Sequence, residues 1–210
     1  MLKELPVEVF VREVATASPA PSSGSVASLA GAQAAGLLSM YCNVSQNRDK
    51  LGDTVDRLQL IGEEARFILG KLLDTIDEDA IAFNQVMEAF RLPKKSEEEK
   101  SLRSDAIVKA LTNAAAITLQ SARGSLRLLS LINETGNQGN PSALTDLGLA
   151  NLQAYSGLTG SCYNSKANLE LLKRRGHEYE ISCEAEAILT QGSAIFKLNR
   201  ESIESALKRG

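Results

Sequence analysis

The stretch ASPAPSSGSVASLAGAQAAGLLSMY, residues 17–41, joins a proline-containing loop to a helix with almost no bulky side chains. After Pro19 and Pro21, small residues recur at every fourth position in two neighbouring stripes: Gly24, Ser28, Ala32 and Gly36, and Ala27, Gly31 and Ala35. Such stripes let another helix or a flat ligand approach very closely. The free backbone N–H groups at the helix start also favour a negative or carbonyl-bearing group.

Composition limits the kinds of partner that this chain of 210 residues can have. The net charge of −3 and the absence of a sustained basic run argue against nucleic acid. Three cysteines without C-x-x-C spacing and a single histidine give no zinc site. We expect isolated, apolar-flanked cysteines to be buried thiols in a reducing cytoplasm.

Two segments bear on targeting and membrane insertion. The N-terminus, MLKELPVEVF, contains acidic residues and no apolar core, so it does not resemble a signal peptide. Residues 24–44 carry no charge and are long enough to span a bilayer. Because they are mostly Ala, Gly and Ser, they favour a buried helix in a soluble bundle, and no membrane partner is expected.

Helical periodicity dominates the chain, and no segment shows the alternation typical of a strand. We predict six helices, at about residues 4–16, 24–45, 51–91, 96–132, 141–173 and 178–208. Long helices joined by short polar loops indicate an all-α fold, an antiparallel bundle of about six helices. No linker or repeat divides it, so residues 1–210 are expected to form one domain.

Local signals support several of these boundaries. Pro6 is expected near the first turn of the first helix, which carries an apolar face made of Val7, Phe10, Val11 and Val14. Pro93 ends the third helix, since a residue before proline disfavours helical backbone. Ser96 followed by Glu99 is a capping-box pattern for the fourth.

The segment DEDAIAFNQVMEAFRLPK, residues 77–94, is polar within a long helix. One helical face carries Asp79, Phe83, Asn84 and Met87, while Asp77 lies about 200° around the helix from Asp79. A carboxyl group beside an aromatic ring can have a raised pKa and exchange protons. The alternative is a solvated acidic patch of residues 77–79.

A second polar segment, residues 140–170, carries a stripe of small, acidic and amide side chains where a core helix would show Leu and Ile. Its members are Asp146, Ala150, Gln153, Gly157, Ser161, Asn164 and Asn168. Asn and Gln amides suit the edge of a heterocycle. The alternative is a pairing stripe that lets two helices approach.

Other candidates for chemistry are weaker. His177 follows a helix in a basic turn, which is typical of a C-terminal cap rather than a catalyst. Cys162 has no histidine near it in sequence, so nucleophilic catalysis is unsupported. No glycine-rich nucleotide-binding motif occurs.

Taken in order along the chain, these segments resemble the cyclodeaminase/cyclohydrolase family of folate enzymes. The matching stretches are Phe10, ASPAPSSGSVASLAG, DEDAIAFNQVMEAFRLPKKSEEEK and NPSALTDLGLANLQAYSGLTGSCYNSKANL. Family members usually carry Pro-x-Pro-Gly-Gly-Gly-Ser at the loop, where this chain has Ser22 and Ser23 in place of two glycines. That departure leaves open an alternative function, a catalytically reduced bundle that binds folate or a protein partner.

The resemblance implies a helical homodimer that binds folate near the subunit interface. It implies an essential aspartate, which maps onto Asp79, with Asp77 as the alternative assignment. A pterin would contact the loop and helix start, with the amide stripe as another wall. The residues expected to bind substrate are Ser22, Ser23, Gly24, Ser25, Asn84, Asp146, Asn164 and Asn168.

The implied reaction passes through 5,10-methenyltetrahydrofolate. A cyclodeaminase forms it from 5-formiminotetrahydrofolate with release of ammonia, and a cyclohydrolase opens it with water to 10-formyltetrahydrofolate. A carboxylate that moves protons serves either path, and no metal or redox cofactor is required beyond the tetrahydrofolate substrate. The sequence does not separate the two activities.

A polyglutamylated folate would need cations at the mouth of the groove. The available residues are Lys94, Lys95, Lys166, Lys173, Arg174 and Arg175. The alternative for each is ordinary solvated surface charge.

Overall fold

The structure, a computed structural model, describes residues 1–46, 54–177 and 181–209. In this part of the chain the α-helices are α1 (Val7–Val14), α2 (Ser23–Ser45), α3 (Thr54–Arg91), α4 (Glu97–Glu134), α5 (Leu144–Lys173) and α6 (Ile181–Leu207). None of the described residues forms a strand. The predicted all-α bundle of six helices is confirmed.

The first helix is shorter than predicted. Leu5 has extended backbone, with φ −67° and ψ 142°, because a residue before proline disfavours the helical region. Pro6 therefore precedes α1 as its N-cap residue, and a separate 3₁₀ turn covers Leu2–Glu4. Of the predicted apolar face, Phe10 is buried, whereas Val7 is 81% and Val11 59% exposed.

The remaining boundaries lie close to the predicted ones. The expected starts of α3 at residue 51 and of α6 at residue 178 fall outside the described residues. The capping box of α4 is present: Glu99 N–H donates to Ser96 Oγ (3.1 Å), and Ser96 N–H donates to Glu99 Oε2 (3.2 Å). A 3₁₀ turn at Pro141–Ala143 leads into α5, and Asn140 caps that turn.

Helix α2 is the centre of the bundle. It packs along both α3 and α5 and touches α4, while α6 covers α4 and α5 on the other side. Its neighbours along α3 run in reverse order, from Ser25 beside Asp79 to Cys42 beside Gly62, so α2 and α3 are antiparallel. The side chains of Leu38, Tyr41 and Cys42 are completely buried. The expectation that this uncharged helix is buried in a bundle is confirmed.

No helix in the described residues has the combined length and hydropathy that crossing a bilayer requires.

A second apolar cluster lies beyond the start of α2. It joins the C-terminal part of α3, the N-terminal part of α4 and the end of α5, through residues that include Val86, Ile107, Leu111, Leu169 and Leu172. These three helices thus continue past α2 and form their own core.

Helices α2 and α5 approach each other closely at glycine residues. A Cβ atom at Gly157 would lie 2.9 Å from the backbone O of Ala27 and 2.9 Å from the backbone N of Gly31. A Cβ atom at Gly31 would in turn lie 2.8 Å from Ser125 Oγ of α4. In this region the polar stripe of α5 is a pairing surface between helices, which is the alternative interpretation of that stripe.

A buried amide network attaches α6 to the bundle. Asn199 Nδ2 donates to the carbonyl O of Leu129 (2.9 Å) and to Asn151 Oδ1 (3.0 Å). Asn133 Nδ2 donates to Asn199 Oδ1 (2.9 Å). Because both ends of the Asn199 amide are paired, its burial is compensated by hydrogen bonds.

We predict that Gly157→Ala destabilises the protein. The added methyl group meets backbone atoms of α2 that cannot move without shifting the whole helix. Overpacking of this kind costs about 1–3 kcal/mol of unfolding free energy. Denaturant unfolding monitored by circular dichroism measures the change.

Gly70→Ala is the matched control for that substitution. Gly70 lies in the interior of α3 and is exposed, and a Cβ atom added there would meet no other atom within 4 Å. Alanine is favoured over glycine in helices by about 0.5–1 kcal/mol, so this variant should be slightly more stable than the parent. Equal effects of the two substitutions would contradict the assigned contact.

Candidate functional site

The side chain of Asp79 lies at the junction of α2, α3 and α5. It is only 6% exposed although it is a carboxylate in the middle of a long helix. Ser25 Oγ, in the first turn of α2, donates to Asp79 Oδ2 (3.0 Å). Asn164 Nδ2, on α5, donates to Asp79 Oδ1 (3.4 Å). Three segments that are distant in sequence therefore meet at one carboxylate.

Gly24 makes this junction possible. A Cβ atom at this position would overlap the Asp79 carboxylate and lie 2.5 Å from Asn164 Nδ2. No other residue leaves room for the carboxylate against the backbone of α2. Glycine is required at this position by close approach.

Burial and hydrogen bonding act in opposite directions on the acidity of Asp79. Removal from water raises the pKa of its carboxyl group above the ordinary value, and this is the largest effect. The Ser25 hydroxyl, the Ser25 backbone N–H and the Ser22 hydroxyl stabilise the ionised form and lower the pKa by smaller amounts. The result is an acid with a raised pKa, suited to exchanging a proton.

The start of α2 is predicted from sequence to receive a negative or carbonyl-bearing group. In the structure the group at this helix end is the Asp79 carboxylate of the protein itself. The small residues farther along α2, among them Ala27 and Gly31, contact α4 and α5 rather than an open surface. Of the two partners expected for these small-residue stripes, another helix or a flat ligand, the structure places helices against the interior of α2.

Asp77 faces a different side of α3. The backbone N–H of Leu2 donates to Asp77 Oδ1, and Lys3 Nζ forms an ion pair with Asp74 Oδ1 at 2.7 Å. The N-terminal segment thus lies along α3 on that side. Asp77 and Asp79 are both buried and only Glu78 between them is exposed, so a fully solvated acidic patch is the wrong interpretation.

The predicted binding residues are distributed unevenly around Asp79. Ser22 is half-buried at the N-cap position of α2, and Ser23 is exposed beside it. Asn168 is half-buried one helical turn after Asn164. Asn84 is exposed on α3, and no hydrogen bond from it reaches the Asp79 cluster.

Asp146 lies away from this junction. It belongs to the first turn of α5, eighteen residues before Asn164, which corresponds to about 27 Å along a straight helix. The polar stripe of α5 therefore does not form one binding wall. Its middle packs against α2, and only the part at Asn164 and Asn168 lies near Asp79.

The cysteines do not provide a nucleophile at this site. Burial raises the pKa of the Cys42 thiol to about 12 and that of the Cys162 thiol to about 11, so both are protonated near neutral pH. Cys183 is exposed, contrary to the expectation that all three thiols are buried. No cluster of His, Cys, Asp or Glu side chains able to hold a metal occurs in the described ranges.

Comparisons with known proteins identify relatives over almost the whole chain. The model of the formiminotransferase-cyclodeaminase family matches residues 6–187. The methenyltetrahydrofolate cyclohydrolase of Methylorubrum extorquens is 31% identical over 199 residues, which cover 95% of this chain and 96% of that protein.

Longer relatives match over a part of their length. The formimidoyltransferase-cyclodeaminase of Mus musculus is 33% identical over 194 residues, and that of Rattus norvegicus is 34% identical over 172 residues. The matches cover 89% and 80% of this chain but only 35% and 31% of those proteins. This chain therefore spans about a third of the length of these two relatives.

A solved structure shows the same fold. The crystal structure of formiminotetrahydrofolate cyclodeaminase from Thermotoga maritima superposes with a TM-score of 0.81 and covers 99% of this chain and 98% of its own. The two sequences are 22% identical, so this likeness concerns the helical architecture.

We predict a pH-dependent stability difference between the parent protein and Asp79→Asn. Because the folded-state pKa of Asp79 is raised, its contribution favours the folded state at low pH and is lost as the pH rises through that pKa. The unfolding free energy of the parent relative to the variant should therefore fall from about pH 4 upwards and then level off. Urea unfolding of both proteins across this range measures it, and a difference that grows with pH would contradict the raised pKa.

Proposed function

The chain belongs to the formiminotransferase-cyclodeaminase family, and we propose on that basis that it interconverts one-carbon forms of tetrahydrofolate through 5,10-methenyltetrahydrofolate. The observation that carries the proposal is the buried Asp79 carboxylate, held by Ser25 and Asn164. It supplies a proton-transfer group at the meeting point of the three segments that resemble the family.

The reaction that we favour is hydrolysis of the methenyl group. It is supported by the relative named methenyltetrahydrofolate cyclohydrolase, which has nearly the same length and aligns over nearly all of it. Release of ammonia from 5-formiminotetrahydrofolate is the second candidate, supported by the formimidoyltransferase-cyclodeaminase relatives. Both reactions form a tetrahedral carbon between N5 and N10, so one site suits either.

In the hydrolytic path, water attacks the methenyl carbon and Asp79 takes a proton from that water. The bond from this carbon to N5 then breaks, and Asp79 returns a proton to N5. The hydroxyl group on the carbon loses its proton to solvent and becomes the carbonyl of 10-formyltetrahydrofolate. A carboxylate near the methenyl cation also stabilises its positive charge.

The hydrogen-bond partners of Asp79 have defined tasks in this scheme. Ser25 and Asn164 donate to different oxygens of the carboxylate, so they fix its orientation while it changes its protonation state. The raised pKa lowers the free-energy cost of the protonated form, which favours a group that must both accept and return a proton.

We predict that the purified protein consumes 5,10-methenyltetrahydrofolate and that Asp79→Asn lowers kcat by about 100- to 10,000-fold, the usual range for loss of a proton-transfer group. Folate binding should persist because the amide has nearly the same shape. Loss of the methenyl absorbance measures turnover, and ammonia release from 5-formiminotetrahydrofolate measures the second candidate.

Two substitutions on the same helix control this experiment. Glu78→Gln removes an exposed carboxylate next to Asp79 and should change the rate by less than about threefold. Asp77→Asn tests the other acid. If Asp77→Asn were inactive while Asp79→Asn kept its turnover, the proton-transfer group would be Asp77 instead of Asp79. Folate binding by a parent protein without turnover would instead support the catalytically reduced bundle.

We also propose that the protein is a homodimer. The exposed apolar face of α1, with Val7 and Val11, and the exposed Phe67 on α3 are surfaces that a monomer would leave in water. Such surfaces are typical of interfaces between protein chains.

Sedimentation at micromolar concentration is predicted to give twice the chain mass of 22.5 kDa. The double substitution Val7→Ser and Val11→Ser should shift the protein towards monomer without unfolding it, because both side chains are exposed. A single 22.5 kDa species in the parent protein would refute the proposal.

A further inference from the structure

Two arginines, one on α4 and one just after α5, lie beside the same aromatic ring at the end of the second apolar cluster. The guanidinium carbon of Arg103, on α4, lies 5.8 Å from the centroid of the Phe90 ring, and that of Arg175, just after α5, lies 5.3 Å from it. Arg103 Nη2 also donates to the carbonyl O of Phe90 (3.0 Å). The three residues bring α3, α4 and the end of α5 together.

These two cations lack an acidic partner among the described residues. The ion pairs in this part of the protein involve their neighbours, such as Arg174 with Glu170 at 3.2 Å, and not Arg103 or Arg175. Arg103 Nε is buried and has no hydrogen-bond partner in the described chain. Two positive charges lie beside one ring without an acid of the described chain to neutralise them, and a buried N–H without an acceptor is costly, so the arrangement favours a bound anion.

The position of this pair relative to Asp79 is set by one helix. Phe90 follows Asp79 by eleven residues, which is close to three complete turns, so both lie on the same face of α3 about 16 Å apart. Helix α2 begins beside Asp79 and therefore does not extend along this part of α3. Between the two sites the half-buried Phe83 and the partly exposed Met87 provide an apolar surface.

We propose that Arg103 and Arg175 bind the glutamate carboxylates of the folate substrate while its one-carbon group lies at Asp79. This inference rests on the proposed function. In a folate the reacting carbon and the glutamate are held apart by a rigid aminobenzoyl group, a separation on the order of 10 Å. With a side chain and a hydrogen bond at each end, that length is compatible with the separation of about 16 Å along α3 between Asp79 and Phe90, beside which the two guanidinium groups lie.

The chemistry of each part of the ligand agrees with the part of the surface assigned to it. Guanidinium groups bind carboxylates through paired, charge-assisted hydrogen bonds. The aminobenzoyl ring would lie against Phe83 and Met87. Of the cations predicted from sequence for a polyglutamate tail, this geometry selects Arg175, and it adds Arg103, which the sequence does not single out.

The test compares Arg175→Gln with the parent protein in turnover of 5,10-methenyltetrahydrofolate. Loss of a charged hydrogen bond should raise KM by about 10- to 100-fold, while kcat stays within about twofold because the proton-transfer group is untouched. Arg200→Gln is the control, since Arg200 is an exposed arginine on α6 that pairs with Glu204, and its KM should not change. Arg103→Lys keeps a charge at the half-buried position and should raise KM by a smaller factor.

A direct binding measurement separates failure of this inference from failure of the proposed function. Calorimetry with p-aminobenzoylglutamate and with p-aminobenzoate requires no turnover. The parent protein should bind the glutamate-bearing fragment more tightly, and Arg175→Gln should remove that preference. Equal affinity for the two fragments, or an unchanged KM in both arginine variants of an active enzyme, would overturn the inference. Absence of turnover with the fragment preference intact would count against the proposed reaction alone.

Discussion

The contact on which the architecture depends is that between the Asp79 carboxylate and the first turn of α2. A buried carboxylate is strongly unfavourable unless several donors compensate for its lost hydration. The start of α2 supplies them, through the Ser25 hydroxyl and the Ser25 N–H, and the Ser22 hydroxyl adds another. This arrangement exists only because Gly24 has no side chain, so the burial of the acid and the position of α2 are one feature.

Close packing against neighbouring helices also fixes the position of α2 along the rest of its length. At Gly157 the backbones of α2 and α5 are so close that a Cβ atom would meet the backbone of α2, and at Gly31 a Cβ atom would meet Ser125 of α4. At its other end, α2 holds the loop between α4 and α5, where Tyr41 Oη accepts from Gly139 N–H (2.8 Å) and Ser45 Oγ accepts from Asn140 N–H (2.8 Å). Because α2 is fixed at both ends and along its length, Ser25 and Asn164 have little freedom to move relative to Asp79.

In the proposed site, proton transfer and the binding of negative charge take place at two separate positions on one face of α3. At one end a carboxylate in a poorly hydrated position handles protons, and its raised pKa results from burial. At the other end, Arg103 and Arg175 are proposed to bind the negatively charged carboxylates of the substrate. A separation of about three helical turns keeps the arginine charges from stabilising the ionised acid directly, so each end can keep its own function.

The sequence by itself determined the helical class, most helix ends and the face of α3 on which Asp79 lies. Periodicity, the Ser96–Glu99 pair and the prolines are local signals. They predict helices well because the start, extent and end of a helix depend largely on residues within it or next to it. Positions along one helix can be mapped by geometry alone, which is why Asp77 and Asp79 could be assigned to different faces.

Tertiary structure decided which residues of different helices meet, because local sequence signals carry no information about contacts between distant segments. It packed α2 against the middle of the α5 stripe, filled the start of α2 with a carboxylate of the protein, and buried Asp77 under the N-terminal segment. It also joined Arg103 to Phe90 and Arg175. Each of these outcomes depends on how separate helices are aligned along their axes, and that alignment is set by packing between distant residues.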